Sequence, residues 1–310
     1  MKAPPLESWA GGAPPNSQAP PRRPSSKESA WLIALAVAGT ALKIPLVISF
    51  KPLFHSEFGH PFLWVGCEIA LVCMVPFALR LNSELGLLGT PYIRAKLARQ
   101  MPPGRLRSLI RIALLYDLVA IGVSILAIAG LVLSGMRGSS VTASGAPHGS
   151  PPSFRTLPFA AFAGQAGRFA VMGALAAAGA GLSEEILFRL SVFAIFIWLF
   201  RFLLHEGTDR PSCTTLWCAT IMQGYAFGLA HLIIRPAILP KIRAPILIAG
   251  LAAPQTWVGI VLGRLYLRRG LEATMIAHAM MDLGLFLLMA AILYLIGLIG
   301  TIHAALGSSV

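Results

Sequence analysis

Long apolar stretches recur along the chain, and short polar or basic stretches separate them. Most reach the roughly 20 residues that a helix needs to cross the hydrocarbon core of a bilayer. In chain order they lie at residues 30–50, 61–79, 109–133, 158–182, 190–204, 216–234, 244–267 and 271–306. The last stretch is long for one helix, and Gly284 is a candidate break within it. The pattern predicts an all-α protein, a polytopic bundle of about eight transmembrane helices.

Composition agrees with a membrane protein. Hydrophobic residues make up 56% of the chain and charged residues only 12%, with a mean hydropathy of +0.74. About a quarter of residues are charged in a typical soluble domain. The net charge of +13 is not arranged as a basic face interleaved with aromatic residues, because the cations gather between apolar runs. We therefore expect membrane lipids as partners of these cations, and no nucleic acid.

The sequence divides into four parts. Residues 1–29 hold seven prolines and four Lys or Arg residues, which predicts a disordered tail. Residues 30–134 hold the first spans, with a basic segment at 80–111 typical of a helix lying in the interface. Residues 135–157 are rich in Gly, Ser and Pro and predict a flexible loop, and residues 158–306 hold the remaining spans. No small-residue cleavage site follows the first span, so we expect a retained helix rather than a signal peptide.

Basic residues also predict the orientation of the chain. The tail carries four and the 80–111 segment seven, against one at 51–61 and two at 136–157. Loops rich in Lys and Arg stay on the cytoplasmic side of a membrane. The amino terminus is therefore expected in the cytoplasm, and alternation of the spans places Glu184 and His231 on that same side.

Five residues in or beside the later apolar runs stand out as candidates for acid–base chemistry: Glu184, Glu185, His231, His278 and Asp282. Each ionisable group at membrane depth costs about 2.5–3.5 kcal/mol on insertion scales, which makes it a candidate functional residue. Residues four apart share a helix face, whereas neighbours point about 100° apart. Glu185 therefore faces Arg189, and we interpret this pair as structural support. Glu184 is left as the acid available for catalysis.

The same spacing places Phe227 and His231 on one helix face, and His278 and Asp282 on another. A carboxylate one turn from a histidine can hold the orientation of the ring, or share a proton or a metal with it. Phe227 is expected to pack beside the site and support it.

A row of small residues precedes the two glutamates, at Gly173, Ala177 and Gly181. Rows of this kind let two membrane helices approach closely. We expect the row to place the glutamates within a helix bundle.

Three short motifs now carry a resemblance to a known family. They read EEILFR at residues 184–189, FGLAH at 227–231 and HAMMD at 278–282. In this order, at the ends of successive apolar segments, they resemble the motifs of the CAAX prenyl protease and bacteriocin-processing (CPBP, or Abi) family of type II CAAX endopeptidases. That family consists of intramembrane proteases. The resemblance covers about residues 165–290, so residues 158–306 are expected to form a CAAX protease-like catalytic transmembrane domain.

The resemblance implies a hydrolase that cuts a peptide bond in a membrane-associated protein or peptide. It implies that Glu184 activates a water molecule, and that His231 and His278 orient the water or bind a metal and stabilise the oxyanion. Glu185 and Asp282 belong to the same catalytic set, with Arg189 and Phe227 as structural support.

The resemblance leaves the cofactor open between a divalent metal such as zinc and none. His231, His278 and Asp282 make a candidate metal shell, yet the chain has no HExxH motif, and catalysis in this family has been framed with and without a metal. The family's last motif often ends in Asn. Asp282 supplies a hydrogen-bond acceptor at that position instead of an amide donor. This difference favours metal binding, or it weakens a role in stabilising the oxyanion.

A second hypothesis also follows from the sequence. The chain would then be a non-proteolytic membrane scaffold or transporter-like regulator, which uses the same polar cavity to bind a partner or an ion. The intact set of three motifs favours the enzyme, since a degraded active site would be expected to have lost at least one of them.

Overall fold

The computed structural model describes residues 24–49, 61–98, 159–207, 210–233 and 245–307, with six single positions between 110 and 122. Regular structure within these residues is helical throughout, without a strand, which confirms the predicted all-α class. Three predicted features lie wholly or mostly outside the described residues: the tail up to residue 23, the span at 109–133 and the loop at 135–157.

The described helices are α1 (Ser26–Ser49), α2 (Pro61–Glu84), α3 (Pro91–Leu97), α4 (Phe159–Glu185), α5 (Phe193–Leu203), α6 (Cys213–Ile233), α7 (Pro245–Arg269) and α8 (Leu271–Gly307). A π-helical segment, Ile186–Val192, joins α4 to α5 without a break. Helix α1 begins inside the stretch that was predicted to be disordered. The Ser25 hydroxyl explains this early start, since it accepts a hydrogen bond from the Glu28 backbone N–H at 3.1 Å and so caps the first turn.

Two expectations about individual spans were wrong. The stretches at 158–182 and 190–204 are not separate helices, because α4, the π-helical segment and α5 form one continuous rod. The charges of Glu185 and Arg189 pair with each other inside this rod, so the chain needs no polar loop there. Gly284 does not break α8, which is continuous through it. A lone glycine costs a helix only about 1 kcal/mol.

Three helical stretches in the described part of the chain are long and apolar enough to cross a membrane. They are Ser26–Pro45, Ala163–Leu203 and Leu271–Ile299. These stretches indicate an integral membrane protein. The count of about eight spans stays a prediction.

Helix α4 packs against α1 on one side and α8 on another. Small residues make the contact with α8 close. A Cβ atom on Gly181 would lie 2.6 Å from the Met275 carbonyl oxygen, and one on Gly173 would lie 2.5 Å from Cγ of Phe286. Ala177, between them, is buried. The close approach predicted from the small-residue row is thus confirmed, and the antiparallel order of the contacts brings Glu185 to the first turns of α8.

Replacing Gly181 by alanine is expected to destabilise the protein, because the new methyl group would force α4 and α8 apart. Overpacking of this kind costs about 1–3 kcal/mol. Gly164→Ala is the matched control on the same helix, since nothing lies within 4 Å of its added Cβ. That change is expected to be neutral, or to stabilise by up to about 1 kcal/mol through helix propensity. Thermal unfolding midpoints in detergent would test the pair, and equal midpoints would contradict the prediction.

The turn between α7 and α8 fixes where α8 begins. Gly270 has φ +86°, in the left-handed region that favours glycine, and a Cβ there would clash with Pro91. Next to it, the Glu272 carboxylate accepts a hydrogen bond from the Ile93 backbone N–H at 2.8 Å. These contacts hold α3 against the start of α8, about two helical turns before His278.

Two buried apolar clusters lie in the described part of the bundle. The first includes Leu32, Leu79, Ile186, Phe193 and Leu271. The second joins the π-helical segment to α6, α7 and α8, and it includes Phe188, Phe227, Leu262 and Met281. The second cluster underlies the polar residues described next.

Candidate active site

Helices α4, α6 and α8 bring the three sequence motifs together. Glu184 and Glu185 end α4, His231 lies in the last turn of α6, and His278 and Asp282 lie near the start of α8. The side chains divide by exposure into two groups. Those of Glu185, Arg189 and His278 are 0–2% exposed, whereas those of Glu184, His231 and Asp282 are 23–27% exposed. The site therefore has a buried side and a partly open side.

The buried side of the site is a row of charged and polar groups centred on Glu185. Its Oε2 lies 3.2 Å from Arg189 Nε, which is the ion pair expected from their spacing. Its Oε1 lies 2.8 Å from His278 Nδ1. Since an ionised carboxylate can only accept, His278 donates this hydrogen bond through Nδ1–H. The ring orientation of His278 is thus fixed by Glu185, and its Nε2 points to Asp282, 3.6 Å from Oδ2.

Arg189 has two further neighbours on α6. Its guanidinium lies 4.9 Å from the centre of the Phe227 ring, within the range of a cation–π contact. Gln223 is fully buried, and its amide oxygen accepts a hydrogen bond from Arg189 Nη1 when the amide is oriented to satisfy both of its ends. Sequence reasoning missed Gln223. A glutamine inside the apolar run of α6 is the signal that could have found it.

The partly open side is formed by Glu184 between two other helices. Its Oε2 lies 3.7 Å from His231 Nε2, and its Oε1 lies 3.8 Å from Nζ of Lys43 on α1. His231 Nδ1 lies 2.9 Å from the Phe227 carbonyl oxygen. A carbonyl only accepts, so Nδ1 carries the proton in this contact. In the neutral ring Nε2 is then an acceptor, and it faces the Glu184 carboxylate.

Phe227 connects the two sides of the site. Its side chain is fully buried, and its ring centre lies 4.5 Å from that of His231 and 5.7 Å from that of His278. Phe188 packs edge-on against it at 5.0 Å. Phe227 therefore packs against both imidazole rings, and its role as a supporting residue stays a prediction.

The described residues do not form a metal shell. Among them, no group of three or more His, Cys, Asp or Glu side chains is placed to hold an ion. In the candidate metal shell of His231, His278 and Asp282, the first histidine faces Glu184, while the second is bound by Glu185 and faces Asp282. Two of the three donors thus face other residues of the site, and this arrangement does not fit the tetrahedral shell typical of zinc. We assign no catalytic step to a metal.

Comparison with known families supports the motifs. Residues 166–284 match the family model described as type II CAAX prenyl endopeptidase Rce1-like. The matched segment contains all three motifs, which confirms the family resemblance. No curated protein and no solved structure matches the chain significantly.

Proposed function

We propose that the chain is a multi-pass intramembrane endopeptidase, because residues 166–284 match the family model of type II CAAX prenyl endopeptidases. It hydrolyses a peptide bond in a membrane-associated protein or peptide. One observation carries the catalytic assignment: the partly exposed Glu184 carboxylate faces His231 Nε2 at 3.7 Å, beside a buried Glu185–His278 pair.

Glu184 is the general base. The two facing acceptors, Glu184 Oε2 and His231 Nε2, are spaced so that one water molecule can donate a hydrogen bond to each. Both hydrogens of this water donate hydrogen bonds, and a lone pair of its oxygen points away from the two acceptors. As the water oxygen bonds to the substrate carbonyl carbon, Glu184 accepts the proton that leaves the water.

His278 is the group that stabilises the oxyanion. The attack moves the carbonyl π electrons onto oxygen, and a hydrogen-bond donor held in place beforehand lowers the energy of that charge. Glu185 and Arg189 hold the His278 ring from the buried side. Its Nε2 is the atom turned towards Asp282, which lies at the open side. The Asp282 carboxylate lies 3.6 Å from Nε2, too far for a hydrogen bond, so a proton on Nε2 is free to be donated to the oxyanion.

The tetrahedral intermediate collapses as Glu184 gives up the proton that it took from the water. The carbonyl re-forms, the bond from carbon to nitrogen breaks, and the leaving amine takes the proton from the Glu184 carboxylic acid. Glu184 is ionised again at the end of the cycle, and the products are one carboxylic acid and one amine, which become a carboxylate and an ammonium group when the proton of the acid passes to the amine. Water, Glu184 and the two histidines suffice for this balance.

The amino terminus of the chain lies in the cytoplasm. Positive charge in the amino-terminal tail and in the 80–111 segment supports that orientation, because Lys-rich and Arg-rich loops stay in the cytoplasm and bind anionic lipids. The match to CAAX prenyl endopeptidases supports C-terminal CAAX segments of prenylated proteins as the first substrate class to test.

The test is a quantitative map of new protein termini in native membranes, comparing wild type with Glu184→Gln at equal expression. Termini that appear only with the wild-type protein would establish proteolysis and name its substrates. A farnesylated peptide that ends in a CAAX sequence, incubated with the same membranes, would test the substrate class separately.

Two outcomes would contradict the proposal. Identical termini in both membranes, together with a mutant that still supports the host, would favour the scaffold or regulator hypothesis. Loss of the host phenotype without any difference in termini would mean that Glu184 binds a ligand instead of activating water.

A further inference from the structure

Lys43 lies outside the residues that match the family, yet it reaches the candidate catalytic carboxylate. It belongs to α1, whereas the match covers residues 166–284. Its Nζ lies 3.8 Å from Glu184 Oε1, and both side chains are mostly buried, at 16% and 23% exposed. An ion pair with this burial is screened less by solvent and salt than an exposed pair.

A close helix crossing places Lys43 beside Glu184. A Cβ on Gly39 would lie 2.9 Å from the Gly179 carbonyl oxygen, and one on Gly179 would lie 2.8 Å from Cγ of Lys43. Gly39 also meets Ser183, so α1 and α4 run antiparallel. Helical side chains lean towards the amino terminus of their own helix. The Lys43 stem therefore runs over Gly179 towards the level of Gly39, which is where Glu184 lies on α4.

The two oxygens of Glu184 have different partners as a result. Oε1 faces Lys43 on α1, and Oε2 faces His231 on α6. A carboxylate held from both ends cannot rotate freely about its last side-chain bond. Fixing such groups in advance accounts for a large part of what an enzyme site contributes to rate.

We propose that Lys43 is a positioning residue for Glu184: it holds Oε1 and keeps the carboxylate ionised, so that Oε2 is directed to the water shared with His231. This inference rests on the proposed function, and it adds α1 to the active site. The family-matched segment would then be incomplete without the helix that precedes it.

Lys43→Met is the informative substitution. Methionine keeps an unbranched stem over Gly179 and removes the charge, while Lys43→Arg keeps the charge. Lys27→Met is the matched control, since Lys27 is exposed on the same helix. We expect Lys43→Met to lower kcat for peptide-bond cleavage of a substrate found in the map of new termini. The expected decrease is about 10- to 100-fold, the effect typical of removing an orienting partner. KM should stay near wild type, Lys43→Arg should recover most of the rate, and Lys27→Met should have no effect.

A second measurement does not depend on proteolysis. Dicyclohexylcarbodiimide modifies protonated carboxyl groups in apolar surroundings, and an ion-paired carboxylate resists it. Mass spectrometry of labelled wild type and Lys43→Met should show severalfold faster modification of Glu184 in the variant, with Glu272, whose carboxylate contacts α3 away from the site, as the internal reference. A folded Lys43→Met protein with unchanged Glu184 labelling would overturn the inference.

The outcomes separate the inference from the proposed function. If wild type and Glu184→Gln yield the same termini, the proposed function fails, and labelling still decides whether Lys43 holds Glu184. If wild type cleaves and Lys43→Met cleaves equally fast, only the inference fails. If Lys43→Met and Lys43→Arg both lose activity and both unfold early, Lys43 has a packing role and the positioning claim is wrong.

Discussion

Glu184→Gln and Glu185→Gln are expected to impair the protein in different ways, although the two residues are neighbours. Glu184→Gln removes the base and should lower the cleavage rate by about 100- to 10,000-fold. Its effect on unfolding should be smaller than that of Glu185→Gln, since an amide of the same shape can still accept a hydrogen bond from Lys43. Purified variants in detergent, assayed for cleavage and for unfolding free energy, would show this separation.

Glu185→Gln should reduce stability as well as activity. The fully buried carboxylate is shared between Arg189 and His278, and an amide there leaves the Arg189 charge without its partner. Breaking a buried pair in this way costs about 3–5 kcal/mol. A stable Glu185→Gln protein without activity, beside a Glu184→Gln protein that cleaves at the wild-type rate, would reverse the roles that we assign.

Local rules predicted much of the fold and part of the site. The apolar periodicity predicted helices, and the Gly173, Ala177 and Gly181 row predicted the close contact of α4 with α8. Spacing by four predicted the Glu185–Arg189 pair. Each of these features depends on residues within a few turns of one helix, so helix geometry is enough to predict it.

Contacts between distant helices could not be predicted in the same way. Spacing alone does not say that His278 is held by Glu185, 93 positions away, or that Lys43 reaches Glu184. A glutamine inside an apolar run stands out in the sequence, but the sequence does not say that Arg189 is the partner of Gln223. The continuity of α4 into α5 was missed because charged residues inside an apolar run were interpreted as the end of a span. Because Glu185 and Arg189 are buried as an ion pair, the helix can continue through them.

Arg189→Met is expected to destabilise the protein about as strongly as Glu185→Gln. Arg189 is fully buried, and its charge offsets that of Glu185 within the π-helical segment. Without it, the buried Glu185 carboxylate loses its cationic partner, and breaking a buried pair in this way costs about 3–5 kcal/mol. Unfolding followed by sodium dodecyl sulfate titration in mixed micelles would measure the loss. Arg80→Met is the surface control, because its pair with Glu84 is exposed and should contribute less than about 1 kcal/mol.

The double variant Glu185→Gln with Arg189→Met decides whether charge or packing explains that loss. If the lone buried charge is the cause, neutralising both partners should recover a large part of the stability, as is common when a whole buried pair is replaced. Activity should not return, since His278 would still lack the anion that orients its ring. If the double variant is as unstable as Arg189→Met alone, then the guanidinium contacts with Gln223 and Phe227 hold the segment, and the pair with Glu185 is secondary.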